Sequence, residues 1–377
     1  MSKSFVVKPP REPEVVYELR RVYQQAERSI IAEITRKRSL QLVDYADVAA
    51  LKRVQAILNK MTDKVEEEFR PSIEEIFYKS EKAANGYANA MALSTTQTRI
   101  VETLVNNYMG LVDEAARNVY GSADNYLRVG RAEADRLQKL ALMSVAESEA
   151  IGTSWRAAQT KMAIELTNKG ITAFTDVAGR NWSLTAYTNM ATRTTAHAAE
   201  VAAALTADDW DLWQISSIGS TCPLCSAYEG RVYSKSGLNP DYPPLSSAFG
   251  KIDAYGGNSL ENTYLNIHPN CLHTLMKYTT IGKTEKQIQR DKDFSSFEKR
   301  PANVDYRSKR QIAAYREKEK ARAQFRNDKK QFEKYREALG DDMPKTFETF
   351  IKHKRLDDDA YKMWESEYRS FNVNGNI

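Results

Sequence analysis

The sequence predicts a mainly α-helical protein, with a small α+β module set between a body of long helices and a charged helical C-terminal tail. Three observations predict it. Apolar residues recur at three- and four-residue steps through most of the chain, which puts them on one helix face. Between about Asp208 and Tyr278 that pattern gives way to short β-prone runs and a loop rich in Gly and Pro. All three cysteines of the 377-residue chain fall in the same window. The length exceeds what one hydrophobic core serves well. Four segments are expected: a flexible arm over 1–13, a helical body over 14–206, the small module over 207–282 and a charged helical region over 283–377.

The opening stretch, MSKSFVVKPPREPE, has no apolar core of the secretory kind and reads as a loose arm. In the first helix Leu19, Val22, Ala26, Ile30 and Ile34 share a face. A second carries Val48, Leu51, Val54 and Leu58, with Asp44 and Asp47 near its start, where carboxylates suit the helix dipole. Pro71 is expected to open a third, bearing Ile73, Ile76 and Phe77. Further stripes hold Ile100, Leu104, Tyr108 and Leu111, then Leu137, Leu140, Leu142 and Val145. All are read as bundle core.

Trp210, Leu212, Trp213, Ile215 and Ile218 then form a β-prone run, and Arg231–Val232–Tyr233 follows a turn at Glu229–Gly230. A loop from Ser234 to about Thr263 precedes a third short run, Thr274–Tyr278. A structureless loop of that length needs its ends pinned. From about Thr284 the chain is helical again. Between Arg307 and Leu339 it holds 12 Lys or Arg against 5 Asp or Glu, with a thin seam of Ile312, Tyr315, Phe325, Phe332, Tyr335 and Leu339. Gly340–Pro344 breaks that helix, and Phe347, Phe350, Leu356, Tyr361 and Trp364 predict one or two short helices beyond.

Composition narrows the class. Apolar residues at 42 % and charged residues at 28 % are ordinary globular usage, which excludes global disorder. No apolar run approaches the roughly 18 residues of a membrane span, so a soluble chain is expected. A net charge of +5 from 55 basic and 50 acidic residues is too mild for a dedicated nucleic-acid coat.

The chemistry gathers at Cys222-Pro-Leu-Cys225 and His268-Pro-Asn-Cys271, two ligand pairs with two residues inside each. An odd, clustered cysteine set argues against a disulfide framework and for a metal. Cys-x-x-Cys aims two sulfurs at one point, and His-x-x-Cys can close a tetrahedron from the other side. Zinc takes such Cys3His sets in structural sites, and four protein donors leave no position for an activated water. The predicted ligands of a structural Zn2+ are therefore Cys222, Cys225, His268 and Cys271. Closing the chain between residues 225 and 268 would pin the long loop. His273 is an alternative donor, less well placed in its β-prone context. Three rivals remain: free buried thiols, a thioredoxin-like redox pair, and a zinc-associated His-Asn-Cys nuclease. The last needs a general base and metal-binding carboxylates, and no second cluster of that kind appears. No catalytic residue and no small-molecule substrate are expected.

An ordered series carries a resemblance. Gly170, Phe174, Asp176, Gly179, Arg180, Trp182 and Leu184 are followed by Tyr187, Met190, Arg193-Thr194-Thr195 and His197. Then come Thr221-Cys-Pro-Leu-Cys225, Glu229–Gly230, Tyr233 and His268-Pro-Asn-Cys271. The series resembles the phage minor capsid protein 2 family, related to the Mu F-like head morphogenesis proteins. It is strongest over about 150–280 and continues more weakly to Phe347. Leu272–His273 departs from the arginine and further cysteine found there in many relatives. The resemblance implies a low-copy virion component inside the capsid near the portal vertex, made in the host cytoplasm. Its implied partners are the portal protein and other capsid components, with roles in head assembly and in DNA packaging or ejection. It supplies no catalytic residues. Asp176, Arg180 and Trp182 are read as fixing a loop, and His197 as a structural histidine. The basic helix 307–336 could meet packaged double-stranded DNA, with Tyr315, Phe325 and Tyr335 stacking on unpaired bases. A solvated helix or a coiled-coil contact competes with that role. A DNA-binding zinc module is the alternative function.

Overall fold

Apolar spacing of three and four residues becomes long helices, and the chain is mainly helical. The computed structural model describes residues 14–35, 43–85, 92–141, 166, 170–176, 179–207, 209–249, 266–268, 270–339 and 342–374. The arm over 1–13, Leu142, Val145 and the loop over 250–265 lie outside the described residues. In order come α1 (Glu14–Ile34), α2 (Val43–Asn85), α3 (Thr95–Ala141), β1 (Thr172–Thr175), β2 (Asn181–Ser183) and α4 (Leu184–Thr206). The module contributes β3 (Leu212–Ile215), β4 (Val232–Ser234) and β5 (Leu275–Lys277). The tail holds α5 (Glu285–Ser295), α6 (Lys309–Leu339), α7 (Phe347–Leu356) and α8 (Asp359–Asn374).

These elements form two compact units. One gathers residues up to Leu19, Val65–Leu111 and Asn189–Ala321; the other gathers Arg20–Lys64, Val112–Thr188 and the chain from Arg322. The long helices contribute to both.

In the first unit Val65, Phe69, Ile73 and Phe77 of α2 and Val101, Val105 and Tyr108 of α3 are buried. Phe69 and Tyr108 pack with ring centres 3.8 Å apart, and the Tyr108 hydroxyl meets buried Thr192 Oγ1 at 2.8 Å. Pro71 opens no new helix, for it sits inside α2. Pro71 and Glu67, the residue whose carbonyl it leaves without an N–H partner, are both exposed, so water can take that bond. Helix α4 is buried on most sides, with Ala191, Ala196, Ala198, Ala199, Ala202 and Ala203 in its core-facing surface. The module's sheet has the order β4-β3-β5, both pairings antiparallel: Trp213 faces Tyr233 on one side and Lys277 on the other. Lys235 Nζ donates to Leu205 O, 2.9 Å away, and so ties the end of β4 to the end of α4.

In the second unit Tyr23, Ala26, Ile30 and Ile34 of α1, Val54, Leu58 and Met61 of α2, and Val112, Ala115, Val119 and Ala123 of α3 form buried stripes. Val48, expected in that stripe, is 55 % exposed; buried Asp47 and Ala50 face inward instead. Residues 172–183, expected to be helical, form the hairpin β1–β2. Its turn is built by Asp176, whose carboxylate accepts from Arg180 N (2.9 Å), Arg180 Nε (2.7 Å) and Trp182 Nε1 (3.3 Å). The buried Glu27 carboxylate holds the hairpin to the start of α4: it accepts from Ile171 N at 3.0 Å, Thr185 N at 3.3 Å and the Thr185 hydroxyl.

Gly170 lies beside that carboxylate with φ +71°, and a Cβ there would sit 2.6 Å from Glu27 Oε1 and closer still to Ser183 Cβ. Gly170→Ala therefore combines a left-handed backbone penalty with overpacking, and a loss of about 3 kcal/mol in urea unfolding is expected. A loss below about 0.5 kcal/mol, the range of neutral surface changes, would contradict this packing.

The tail's aromatics close on themselves. Phe332, Tyr335, Met343, Phe350, Tyr361 and Trp364 form one buried cluster, with Phe350 fully inaccessible at its centre. The seam on the last turns of α6 is thus the floor under α7 and α8. Tyr335 stacks on Tyr368 with ring centres 4.6 Å apart, and Arg307 lies 5.4 Å from the centre of the Tyr315 ring. Of the three aromatics expected to offer stacking surface, Phe325 alone is exposed, at 58 %. No helix among the described residues is long and apolar enough to cross a membrane.

Candidate metal centre

The first ligand turn follows β3. Ser226 N donates to Cys222 O at 3.1 Å, and Cys225 N donates to Cys222 Sγ at 3.3 Å, so both thiol groups are turned to the same side. A short 3-10 turn, Cys225–Ala227, then carries the chain to Gly230, whose φ of +75° allows the return into β4. The second turn is equally tight: Asn270 takes φ 59°, and Cys271 N donates to His268 O at 3.1 Å. It is anchored to α4 through Asn266 Nδ2 on Thr194 O (3.2 Å) and Asn270 N on Thr194 Oγ1 (3.4 Å).

The two turns meet. Cys222 Sγ lies 3.2 Å from His268 Nε2, and Cys225 Sγ lies 3.9 Å from Cys271 Sγ. All three cysteines are free, and that separation is far above the ~2.05 Å of a disulfide. His273, 2 % exposed, adds a further nitrogen: its Nδ1 is 3.5 Å from Cys271 Sγ. The donors fall into two triangles that share Cys225, one with Cys222 and His268, the other with Cys271 and His273; within each, all donor atoms lie within 4.8 Å. A tetrahedron built on Zn–S of about 2.3 Å and Zn–N of about 2.05 Å has edges of about 3.8 Å between sulfurs and about 3.6 Å from sulfur to nitrogen. The observed spacings are of that size, so the cluster could hold a metal ion.

The groups of the cluster shift one another strongly. The Cys222 thiol is drawn down to about 4, by hydrogen bonding to Cys225 first, against burial, with His268 helping. Cys271 falls to about 3 for the matching reason, with Cys225 first and His273 contributing after burial is overcome. Cys225, between two sulfurs, is pushed up, by its bonds to Cys222 and Cys271 first and by burial. Three thiols this close cannot all ionise without a cation among them. His273 is lowered by burial but raised more by Cys271 and Glu229, ending at about 9. Its Nε2 faces Thr221 Oγ1 at 3.3 Å and Glu229 Oε1 at 3.7 Å, the outer partners that fix a ligating imidazole's orientation.

Sequence spacing names Cys222, Cys225, His268 and Cys271; the structure gathers Cys222, Cys225 and His268 in one triangle and puts Cys271 with Cys225 and His273 in the other, so the predicted four do not form one group by themselves. Spacing ranks His273 below His268, and in the structure each histidine completes one of the two triangles. His273 stands before β5, not within it, and two residues past Cys271 its ring folds back onto the sulfur. Glu229 and Arg307, which flank the cluster, carry no spacing signal at all. His197 is on α4, with Nδ1 3.5 Å from Glu200 Oε2, and is not among these donors.

The model of the family described as phage minor capsid protein 2 matches residues 7–346, nearly the whole chain. No curated protein matches, and no solved structure does.

Proposed function

Because the chain belongs to the phage minor capsid protein 2 family, we propose that it is a low-copy, non-catalytic component of the phage head, placed inside the capsid near the portal. The match over 7–346 carries the head assignment, and assembly with other capsid components follows from it. The helical body over 14–206 would offer contact surface, and the module over 207–282 would be pinned by a structural zinc. Cys222, Cys225 and Cys271 with one histidine would hold that ion. His268 is the fourth ligand by spacing, and His273 is the alternative by proximity to Cys271. Zinc there would cross-link the two turns, and a full protein shell leaves no site for hydrolytic water. Cross-linking mass spectrometry on assembled heads tests the placement. Links from this chain to the portal are expected; links confined to the outer capsid face would overturn it.

Contact with packaged DNA is a second role, favoured by the charge of the 307–336 segment. Lys309, Arg310, Arg316 and Lys320 are exposed there. Changing all four to Gln is expected to weaken duplex binding and to flatten the salt dependence by about 0.9 in log–log slope for each phosphate no longer neutralised. An unchanged slope would remove the DNA role and leave the head assignment standing.

A further inference from the structure

The start of α6 and the loop before it reach back to the Cys222–Cys225 turn and hold it on both flanks. Arg307 Nη1 donates to Thr221 O at 3.3 Å, and Lys318 Nζ donates to Ser220 Oγ at 3.3 Å. On the far side Ser226 Oγ, whose proton goes first to Pro223 O at 2.7 Å, also approaches Asp305 Oδ1 at 3.4 Å. Arg307 is itself locked to Asp305, with Nε 2.9 Å from Oδ1 and Nη2 2.7 Å from Oδ2, and only 8 % of its side chain is exposed. The strap has little apolar support of its own, since residues 301–305 are exposed. Its docking rests on a few polar bonds whose acceptors and donors are the residues on either side of two sulfurs.

A divalent ion with three thiolates and one neutral imidazole would carry a net −1, and Arg307 and Lys318 are the cations on the Cys222–Cys225 side of it, with Asp305 and the buried Glu229 as the nearby carboxylates. A guanidinium stays charged at any physiological pH and presents a fixed fork, which suits an outer partner that must position a turn. The positions of Ser220, Thr221 and Ser226 are in turn set by the closure of the turn around the ion.

We propose that Asp305, Arg307 and Lys318 form the outer shell of the metal centre and couple metal binding to the docking of the first turns of α6. The proposal rests on the zinc reading above. These residues are positioning residues: they touch the turn, not the ion. Coupling of this kind is reciprocal, so the factor by which the strap tightens zinc equals the factor by which zinc tightens the strap. The basic helix is then held against the module only while the metal is in place.

The test uses the full chain. Zinc affinity is measured by competition with a chromophoric chelator for the wild type, Arg307→Gln, Arg307→Lys and Asp305→Asn. Hydrogen exchange over residues 305–321 of the wild type is followed with zinc and after chelation. Arg307→Gln is expected to bind zinc about tenfold more weakly, as outer-shell changes do, with partial recovery in Arg307→Lys. Chelation is expected to speed exchange in 305–321 of the wild type. Asp305→Asn removes an exposed carboxylate, so it supplies the affinity comparison even where Arg307→Gln folds poorly. Wild type that binds one zinc, with variant affinities within twofold and exchange in 305–321 unmoved, would overturn the coupling alone. Wild type that binds no zinc would overturn the metal reading and the coupling with it.

Discussion

Cys225→Ser is expected to lose its zinc and to melt the module built on β3, β4 and β5, while the helical signal of α1–α3 persists. The strands are only 4, 3 and 3 residues long, and the buried apolar side chains on and beside them, Trp213, Ile215, Val232, Tyr233, Tyr242, Phe249 and Tyr278 among them, make a small core. A core of that size supplies little of the free energy that ordering the surrounding turns requires. Structural zinc contributes of order 10 kcal/mol to small domains, so losing the shared ligand should cost more than about 4 kcal/mol. Serine fills the same space, which separates the metal effect from a cavity. Cys225 belongs to both donor triangles, so its loss should exceed that of Cys222. Hydrogen exchange over residues 210–235 and 270–278 reports the melting directly. A melting temperature equal to that of wild type would contradict the metal assignment, whereas an exposed change such as Lys320→Ala should stay within about 0.5 kcal/mol.

Arg231→Met should produce the second large loss. Arg231 is completely buried, and its guanidinium donates to Ser295 O at 3.0 Å, to Ser296 O at 3.2 Å and to the carbonyls of Ala227 and Arg300. It also lies 4.5 Å from the centre of the Phe297 ring. Ser295 and Ser296 end α5, where carbonyls have no helical partner. One side chain on the edge of β4 thus caps a helix and fastens the start of the tail to the module. Methionine keeps the apolar stem but takes the guanidinium from the carbonyls of Ala227, Ser295 and Arg300, while Ser296 O keeps Arg300 N at 3.0 Å; the expected cost is about 3–5 kcal/mol. Arg231→Lys should recover less than half, since an ammonium cannot match the planar fork. Urea unfolding decides it, and a loss under about 1 kcal/mol would mean that water replaces the guanidinium without penalty.

Much of this architecture can be read from residue spacing. The buried stripes of α1 to α3, the three β-prone runs and the break at Gly340–Pro344 all follow from local periodicity and turn chemistry. So does the cluster of sulfurs, because two x-x pairs fix their own turns. What escapes such a reading depends on partners distant in sequence. Pro71 reads as a start only until its solvent-facing side is known. The hairpin at 172–183 is too short for an alternating pattern, and Glu27 on α1 is what holds it. The seam of α6 looks thin in sequence because α7 and α8, which cover it, lie beyond a helix break. Arg231 looks like a surface residue beside a turn, and nothing local says that four carbonyls converge on it. The place of His273 is hidden for the same reason: it is set by Cys271 and Glu229 together, not by its neighbours' β propensity.

Zinc-edge X-ray absorption on the full chain, purified without added metal, addresses the metal centre most directly. One zinc per chain is predicted, with three sulfurs at about 2.3 Å and one nitrogen at about 2.0–2.1 Å. Protein without zinc, or zinc ringed only by oxygen and nitrogen, would contradict it.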